Sequence, residues 1–210
     1  MPFNLLIPLT LFLYLGGFIT INPIRIFSKQ EKSILDKVEK TILDKNYNNG
    51  LKVLTDLEDK KNLSARFYFL KARIQQENKD NLNALINYSI AIEKDTEFYK
   101  AFNNRGLVKG SLKDLKGALE DFSKAIILNE DFEAAYINRG VTYSALKRPS
   151  KAISDFTKAI EINPGSIEAY TNRAITYRFM KSYRRLCLDL QIIKKLGGQQ
   201  VDDWIKEYCE

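Results

Sequence analysis

Side chains able to do bond-making chemistry are scarce in this chain, and the scarcity narrows what it can do. Histidine is absent from all 210 residues. That removes Ser-His-Asp and Cys-His catalysis, an imidazole switch near neutral pH and ordinary His-containing zinc sites. Two cysteines, Cys187 and Cys209, are too few for a disulfide framework or a four-thiolate metal centre. Cys187 stands between Leu186 and Leu188 in a helical apolar pattern and reads as a buried, inert thiol. Cys209, near the end of the sequence, is open to oxidation if exposed, but nothing beside it marks it as activated. No phosphate-cradling glycine loop, paired-carboxylate constellation or EF-hand spacing occurs. The expectation is a protein without catalytic residues, metal or cofactor, and not an enzyme.

What does recur is a set of polar side chains at a fixed interval. Asn104, Asn138 and Asn172 are evenly spaced, 34 apart. An asparagine amide carries one acceptor and two donors, which suits the N–H and C=O groups of an extended peptide. Each asparagine precedes an arginine, and an aspartate follows every arginine at one constant interval: Arg105 and Asp121, Arg139 and Asp155, Arg173 and Asp189. One repeat earlier the same places hold Lys71 and Asn87, so neither partner is present there. Two opposite charges that appear and vanish together predict an ion pair between two helices of one unit, bidentate if the geometry allows. This reading makes the arginines structural rather than ligand-binding.

The elements that must position these residues repeat with the same period. Segments starting at Tyr99, Glu133 and Ile167 align without a gap, and stepping back by 34 starts further units at Ala65 and Glu31. The chain divides into an N-terminal segment (1–30), five equal units (31–64, 65–98, 99–132, 133–166 and 167–200) and a final stretch, 201–210. Apolar residues recur at intervals of three and four, so each unit reads as two amphipathic helices. In the fourth unit Tyr136, Gly140 and Tyr143 share one face and Ala152, Phe156 and Ala159 the facing one. Asn163-Pro164-Gly165 ends a helix and resets the chain. Val201, Trp204, Ile205 and Tyr208 form a helical stripe, which predicts a short capping helix over 201–210.

The units resemble tetratricopeptide repeats. The likeness rests on aromatics at position 4 (Tyr68, Phe102, Tyr136, Tyr170) and small residues at position 8 (Ala72, Gly106, Gly140, Ala174). It also rests on small residues at position 20 (Gly50, Ala84, Ala118, Ala152), alanine at 27 (Ala91, Ala125, Ala159) and Pro164. The match is weakest in the first unit and in the second helix of the fifth. The resemblance implies an all-α solenoid of five helix-turn-helix units, with first helices lining a concave groove that binds a protein or peptide segment. It places Asn104, Asn138, Asn172 and Arg178 at positions that point into that groove. The pattern for clamping a carboxyl terminus is missing at positions 5 and 9, so chaperone tails are not expected.

The N-terminal segment has another character. No charged side chain precedes Arg25, and Phe3 to Ile21 is a nearly uninterrupted apolar run. As a helix it spans roughly 28 Å, near the ~30 Å hydrocarbon thickness of a bilayer. Residues 1–27 are therefore expected to form a transmembrane anchor, followed by a linker at 28–30. A cleaved signal peptide is the alternative and would give an exported, periplasmic protein. Arg25, Lys29 and Lys32 follow the run, which places the repeats on the cytoplasmic side. A single span followed by such repeats also resembles the membrane-anchored cyanobacterial and plastid factors that assist photosystem I assembly.

Charge adds little to this picture. The net +7 (33 Lys and Arg against 26 Asp and Glu) opens RNA binding as a rival, but base-reading helical repeats present paired specificity residues in every unit. Nucleic acid is not expected. Homo-oligomerisation through the atypical end units is a further outcome.

Overall fold

The structure, a computed structural model of the chain, describes residues 29–58, 62–199 and 201–210. Eleven helices make up its regular structure: α1 (Lys29–Leu43), α2 (Tyr47–Glu58), α3 (Ala65–Glu77), α4 (Asn81–Lys94), α5 (Tyr99–Ser111), α6 (Leu115–Leu128), α7 (Glu133–Ala145), α8 (Pro149–Ile162), α9 (Ile167–Phe179), α10 (Tyr183–Lys195) and α11 (Asp202–Cys209). Helix α1 begins at Lys29, so part of the stretch expected as a linker is already helical. The expected transmembrane span, residues 1–27, lies outside the described residues. Among the described residues no helix is long and apolar enough to cross a membrane.

Helices pair as hairpins α1/α2 through α9/α10, and each hairpin stacks on the next through its second helix. First helices also touch one another along the stack (α1 with α3, α3 with α5, α5 with α7, α7 with α9), whereas no second helix meets the following second helix. Crowding on one side and splaying on the other curves the solenoid, with the first helices on the concave side.

Close approach within a hairpin depends on small residues facing rings. A Cβ added at Gly106 would lie 2.7 Å from the Phe122 ring, and one at Gly140 would lie 2.6 Å from Phe156. Both rings are buried, and burying a phenylalanine contributes about 1.5–3 kcal/mol. One apolar core runs from Leu35 to Ala169, and a second gathers Tyr170, Leu186, Leu190 and Ile193 under α11.

The turns inside the units repeat as faithfully as the helices. Lys45, Lys79, Lys113, Lys147 and Lys181, again 34 apart, all take positive φ (55°, 62°, 69°, 56° and 57°). Each donates its N–H three residues back, and the next residue donates five back, as Asp114 does to Lys109. This is the Schellman ending, whose left-handed residue is most often glycine. A side chain there costs about 1–2 kcal/mol. The following residue caps the next helix in units 1 to 3, where Asn46 accepts from the Asn49 N–H, Asp80 from the Asn83 N–H and Asp114 from the Gly117 N–H.

The cysteines depart from expectation. Cys187 and Cys209 are joined in a disulfide, with Cα atoms 5.7 Å apart and a sequence separation of 22. Cys187 is not the inert free thiol that its neighbours in sequence suggest, and Cys209 is oxidised in partnership with it. Helix α11 folds back on α10, half-burying Trp204, Ile205 and Tyr208, and that return brings the two sulfurs together.

Candidate functional site: the groove on the first helices

Over units 2 and 3 the concave face holds a cavity of about 630 Å³, lined by the cations Arg66, Arg73 and Lys100, the acids Glu39 and Asp95, Asn104, and Phe69, Phe98 and Phe132. Its apolar surface comes from the three phenylalanines. Phe69 and Phe98 pack at 4.7 Å between ring centroids, and Phe132 meets Tyr99 edge-on at 4.9 Å. Phe98 and Phe132 are the residues just before α5 and α7, so the unit-to-unit turns deliver them to the groove. Arg66 is held by Asp36 (2.7 Å) and Glu39 (2.8 Å). Burial pulls its guanidinium down, but hydrogen bonding and charge attraction from Asp36 and Glu39 together outweigh it and keep the pKa above the usual arginine value. Arg73 lies over the Phe69 ring at 5.9 Å and Lys100 over Tyr99 at 5.8 Å. An aromatic surface ringed by cations accepts an apolar side chain flanked by carboxylates.

The asparagines are not three equivalent amides. Asn138 donates to Asn103 Oδ1 (2.9 Å), Asn103 donates to Asn104 Oδ1 (3.1 Å), Asn104 donates to Tyr88 Oη (3.3 Å), and Tyr88 donates to Gln76 Oε1 (2.8 Å). This chain ties units 2, 3 and 4 together across the first helices. Asn104 lines the cavity, whereas Asn138 and Asn172 do not; the backbone carbonyls of those two accept from Thr142 and Thr176 (2.8 Å each). Burial pushes the Tyr88 hydroxyl well above its ordinary pKa, so it remains a donor. Asn103, at the neighbouring position 5, is the buried link that the repeated asparagine column does not single out.

Arg105, Arg139 and Arg173 each make a fork to the aspartate of the facing helix. Nε donates to one carboxylate oxygen at 2.8–2.9 Å and Nη2 to the other at 2.7 Å. The remaining Nη1 donates backwards to the preceding unit: Arg105 to Ser89 (3.2 Å), Arg139 to Ser123 (3.1 Å) and Arg173 to Thr157 (3.0 Å). Each guanidinium thus joins three helices and lies over the aromatic ring at position 4 of its own unit. Hydrogen bonding to Asp155 and Asp189 raises the pKa of Arg139 and Arg173. Arg178 stacks on Trp204, its Cζ 4.3 Å from the ring centroid, so its flat face is covered by the capping helix. Serine or threonine recurs at position 25 of the first four units, whereas phenylalanine stands at position 34 in units 2 and 3 alone. The position-25 column is legible in the repeat; the two phenylalanines are not.

These hairpins, stacked through a repeated arginine fork and lined on their inner side by a groove, define a helical-repeat binding protein. Tetratricopeptide repeat models match residues 133–166 and 156–188. The chain is a tetratricopeptide repeat protein. Among solved structures it is similar to pilF of Pseudomonas aeruginosa, at 17% identity over 81% of this chain and 78% of that one, with a TM-score of 0.75. A MamA fragment from Desulfovibrio magneticus superposes with a TM-score of 0.70 at 14% identity, covering 82% of this chain and 97% of that one. A tetratricopeptide repeat protein from Parabacteroides merdae does so at 0.66, with 22% identity over 83% and 68% of the two chains. No curated protein matches. At these identities the structural likeness speaks for the fold. The repeats make the chain a protein–protein interaction module, and no catalytic family is among the matching models.

Proposed function

We propose that the chain is a membrane-tethered adaptor that holds a short segment of a client protein in the groove of units 2 and 3. The client segment presents an apolar side chain to Phe69, Phe98 and Phe132 and carboxylates to Arg73 and Lys100. The observation that carries this reading is the aromatic cavity of about 630 Å³ with Arg73, Lys100 and Asn104 in its lining. Binding there is capture without bond-making, and assembly or scaffolding is its natural use. The narrower role of assisting photosystem I assembly rests on the order of an apolar run followed by repeats, and belongs to this proposal.

The apolar run of residues 3–21 supports tethering, and the basic residues after it favour the cytoplasmic side. The Cys187–Cys209 disulfide favours the alternative, because such bonds persist in oxidising compartments. Protease access to residues 31–210 in sealed vesicles separates the two orientations. For the groove, a photocrosslinking amino acid is placed at Lys100 in the full chain, with a control at Lys124 on the outer helix α6, and both are irradiated in native membranes. One client captured from position 100, absent from position 124 and lost in Arg73→Glu, supports the proposal. Identical capture from both positions overturns it.

A further inference from the structure

The five left-handed lysines are unexplained by packing. All are exposed, and each occupies a backbone position where glycine is the unstrained choice. Attraction of a cation to a helix C-terminus does not account for them, since a lysine one turn earlier gives the same attraction without strain. Because the hairpins are stacked in register, their inner turns lie along one edge of the solenoid. In units 2 and 3 the next residue is a capping aspartate that offsets the lysine charge. In units 4 and 5 its place is taken by Arg148 and Ser182, neither of which makes a side-chain cap. Local stability is thus forgone twice on this edge, once at the left-handed residue and once at the cap, and the edge becomes more basic for it.

The outcome is a concentrated patch. Residues 147–151 and 181–185 hold six cations, Lys147, Arg148, Lys151, Lys181, Arg184 and Arg185, and no acid. Among the described residues none of the six is in an ion pair. Apolar side chains project from the same turns: Phe179 is 70% exposed, Met180 45% and Leu112 41%. Phe179, with Ile175 one turn before it on α9, also walls an apolar cleft of about 300 Å³ between the turns of units 4 and 5, lined from unit 4 by Ala145, Lys147 and Pro149.

We infer that this turn edge of units 3–5 docks on an anionic phospholipid surface, its lysines and arginines in the phosphate layer and Phe179 and Met180 entering the headgroup–acyl boundary. Cations interleaved with protruding apolar side chains are what such an interface selects. An RNA or an acidic protein would use the charges but leave the two protruding apolar residues without a role. Docking this edge also sets the orientation of the groove relative to the membrane. The inference concerns residues outside the groove and stands whether or not the client proposal does.

The test uses the full chain in phosphatidylcholine nanodiscs, mixed with vesicles and separated by flotation. The vesicles are phosphatidylcholine alone, or phosphatidylcholine with a third of the lipid replaced by phosphatidylserine. Whether or not residues 1–28 enter the disc, capture of a second membrane reads the edge. Each cation at an anionic surface is worth roughly fivefold in binding. Lys147→Gly/Lys181→Gly is therefore expected to lower capture by phosphatidylserine vesicles about 25-fold, with its thermal midpoint unchanged or raised because glycine suits the positive φ. Arg184→Gln/Arg185→Gln, on an exposed helical surface, is expected to do the same. Phe179→Ser/Met180→Ser is expected to weaken capture with all charges intact, and salt at about 0.5 M to abolish it. Equal capture by the two vesicle types overturns the inference. So does wild-type capture by both charge variants or by the serine variant, and so does retention on RNA or polyglutamate beads without vesicle selectivity.

Discussion

Arg139 offers the sharpest quantitative test of how the solenoid is held. Its guanidinium donates to both oxygens of Asp155 at 2.7 and 2.9 Å and to Ser123 of the preceding unit at 3.1 Å. The Asp155 side chain is only 7% exposed, so replacing Arg139 with methionine leaves a buried carboxylate without its partner. Breaking a buried pair in this way costs about 3–5 kcal/mol. Loss of the Ser123 contact is contained in that figure, and Ser123→Ala alone is expected to cost about 1 kcal/mol. The double change Arg139→Met/Asp155→Leu removes both charges and fills similar volume, so it is expected to recover most of the loss. Urea unfolding of the full chain followed by circular dichroism reads the difference. With a slope of about 2 kcal/mol per molar urea, the single variant shifts the midpoint down by about 1.5–2.5 M. A coupling energy near zero in the Arg139/Asp155 cycle, or a single-variant loss below about 1 kcal/mol, refutes the reasoning and returns the pair to the class of screened surface contacts.

Other outcomes follow from separate parts of the structure. Reducing the Cys187–Cys209 bond, whose sequence separation is 22, removes a constraint worth about 3 kcal/mol of chain entropy. Because solenoid units contact only their neighbours, amide exchange in α11 should accelerate roughly 100-fold while α3–α8 are unaffected; uniform acceleration would contradict this. Burial raises the Tyr88 pKa in the folded chain, so its contribution is complete below the unfolded value of about 10 and is lost as pH rises towards the folded value. Tyr88→Phe is accordingly expected to flatten the fall in stability above pH ~10, measured by urea midpoints against pH. Gly140→Ala forces a Cβ to 2.6 Å from the Phe156 ring and should cost about 1–3 kcal/mol. Gly110→Ala, a helical site with no atom within 4 Å, should instead raise stability by about 0.5–1 kcal/mol; thermal midpoints of the pair decide.

The solenoid was legible in the sequence because helical hairpins are local objects. Their apolar spacing, small residues and turn signals all lie within one repeat, and five copies reinforce one another. The lysine row shares that period, but its left-handed backbone emerges only when two helices are closed by a Schellman turn. Residue type and period pointed to Arg139 and Asp155 as a pair, since both belong to one hairpin. The backward reach of Arg139 to Ser123 belongs to the interface between hairpins. Packing decides that contact, and neither residue's neighbours in sequence announce it.

The asparagines show the same division. Their spacing suggested three equivalent groups in a groove, but the curvature of the stack brings Asn138 against Asn103 and links Asn104 to Tyr88, leaving Asn172 apart. The groove's aromatic surface is assembled from Phe69, Phe98 and Phe132, which come from turns and helices of successive units. The cysteines lie further still from what local pattern can show. A chain reversal separates them, and only the folding of α11 onto the last apolar face sets one sulfur against the other. Sequence alone determined the repeat, its helices and the exclusion of imidazole chemistry, because composition and short-range periodicity carry that information. Tertiary structure decided which side chains meet between units, because those meetings depend on the angle at which one hairpin stacks on the next.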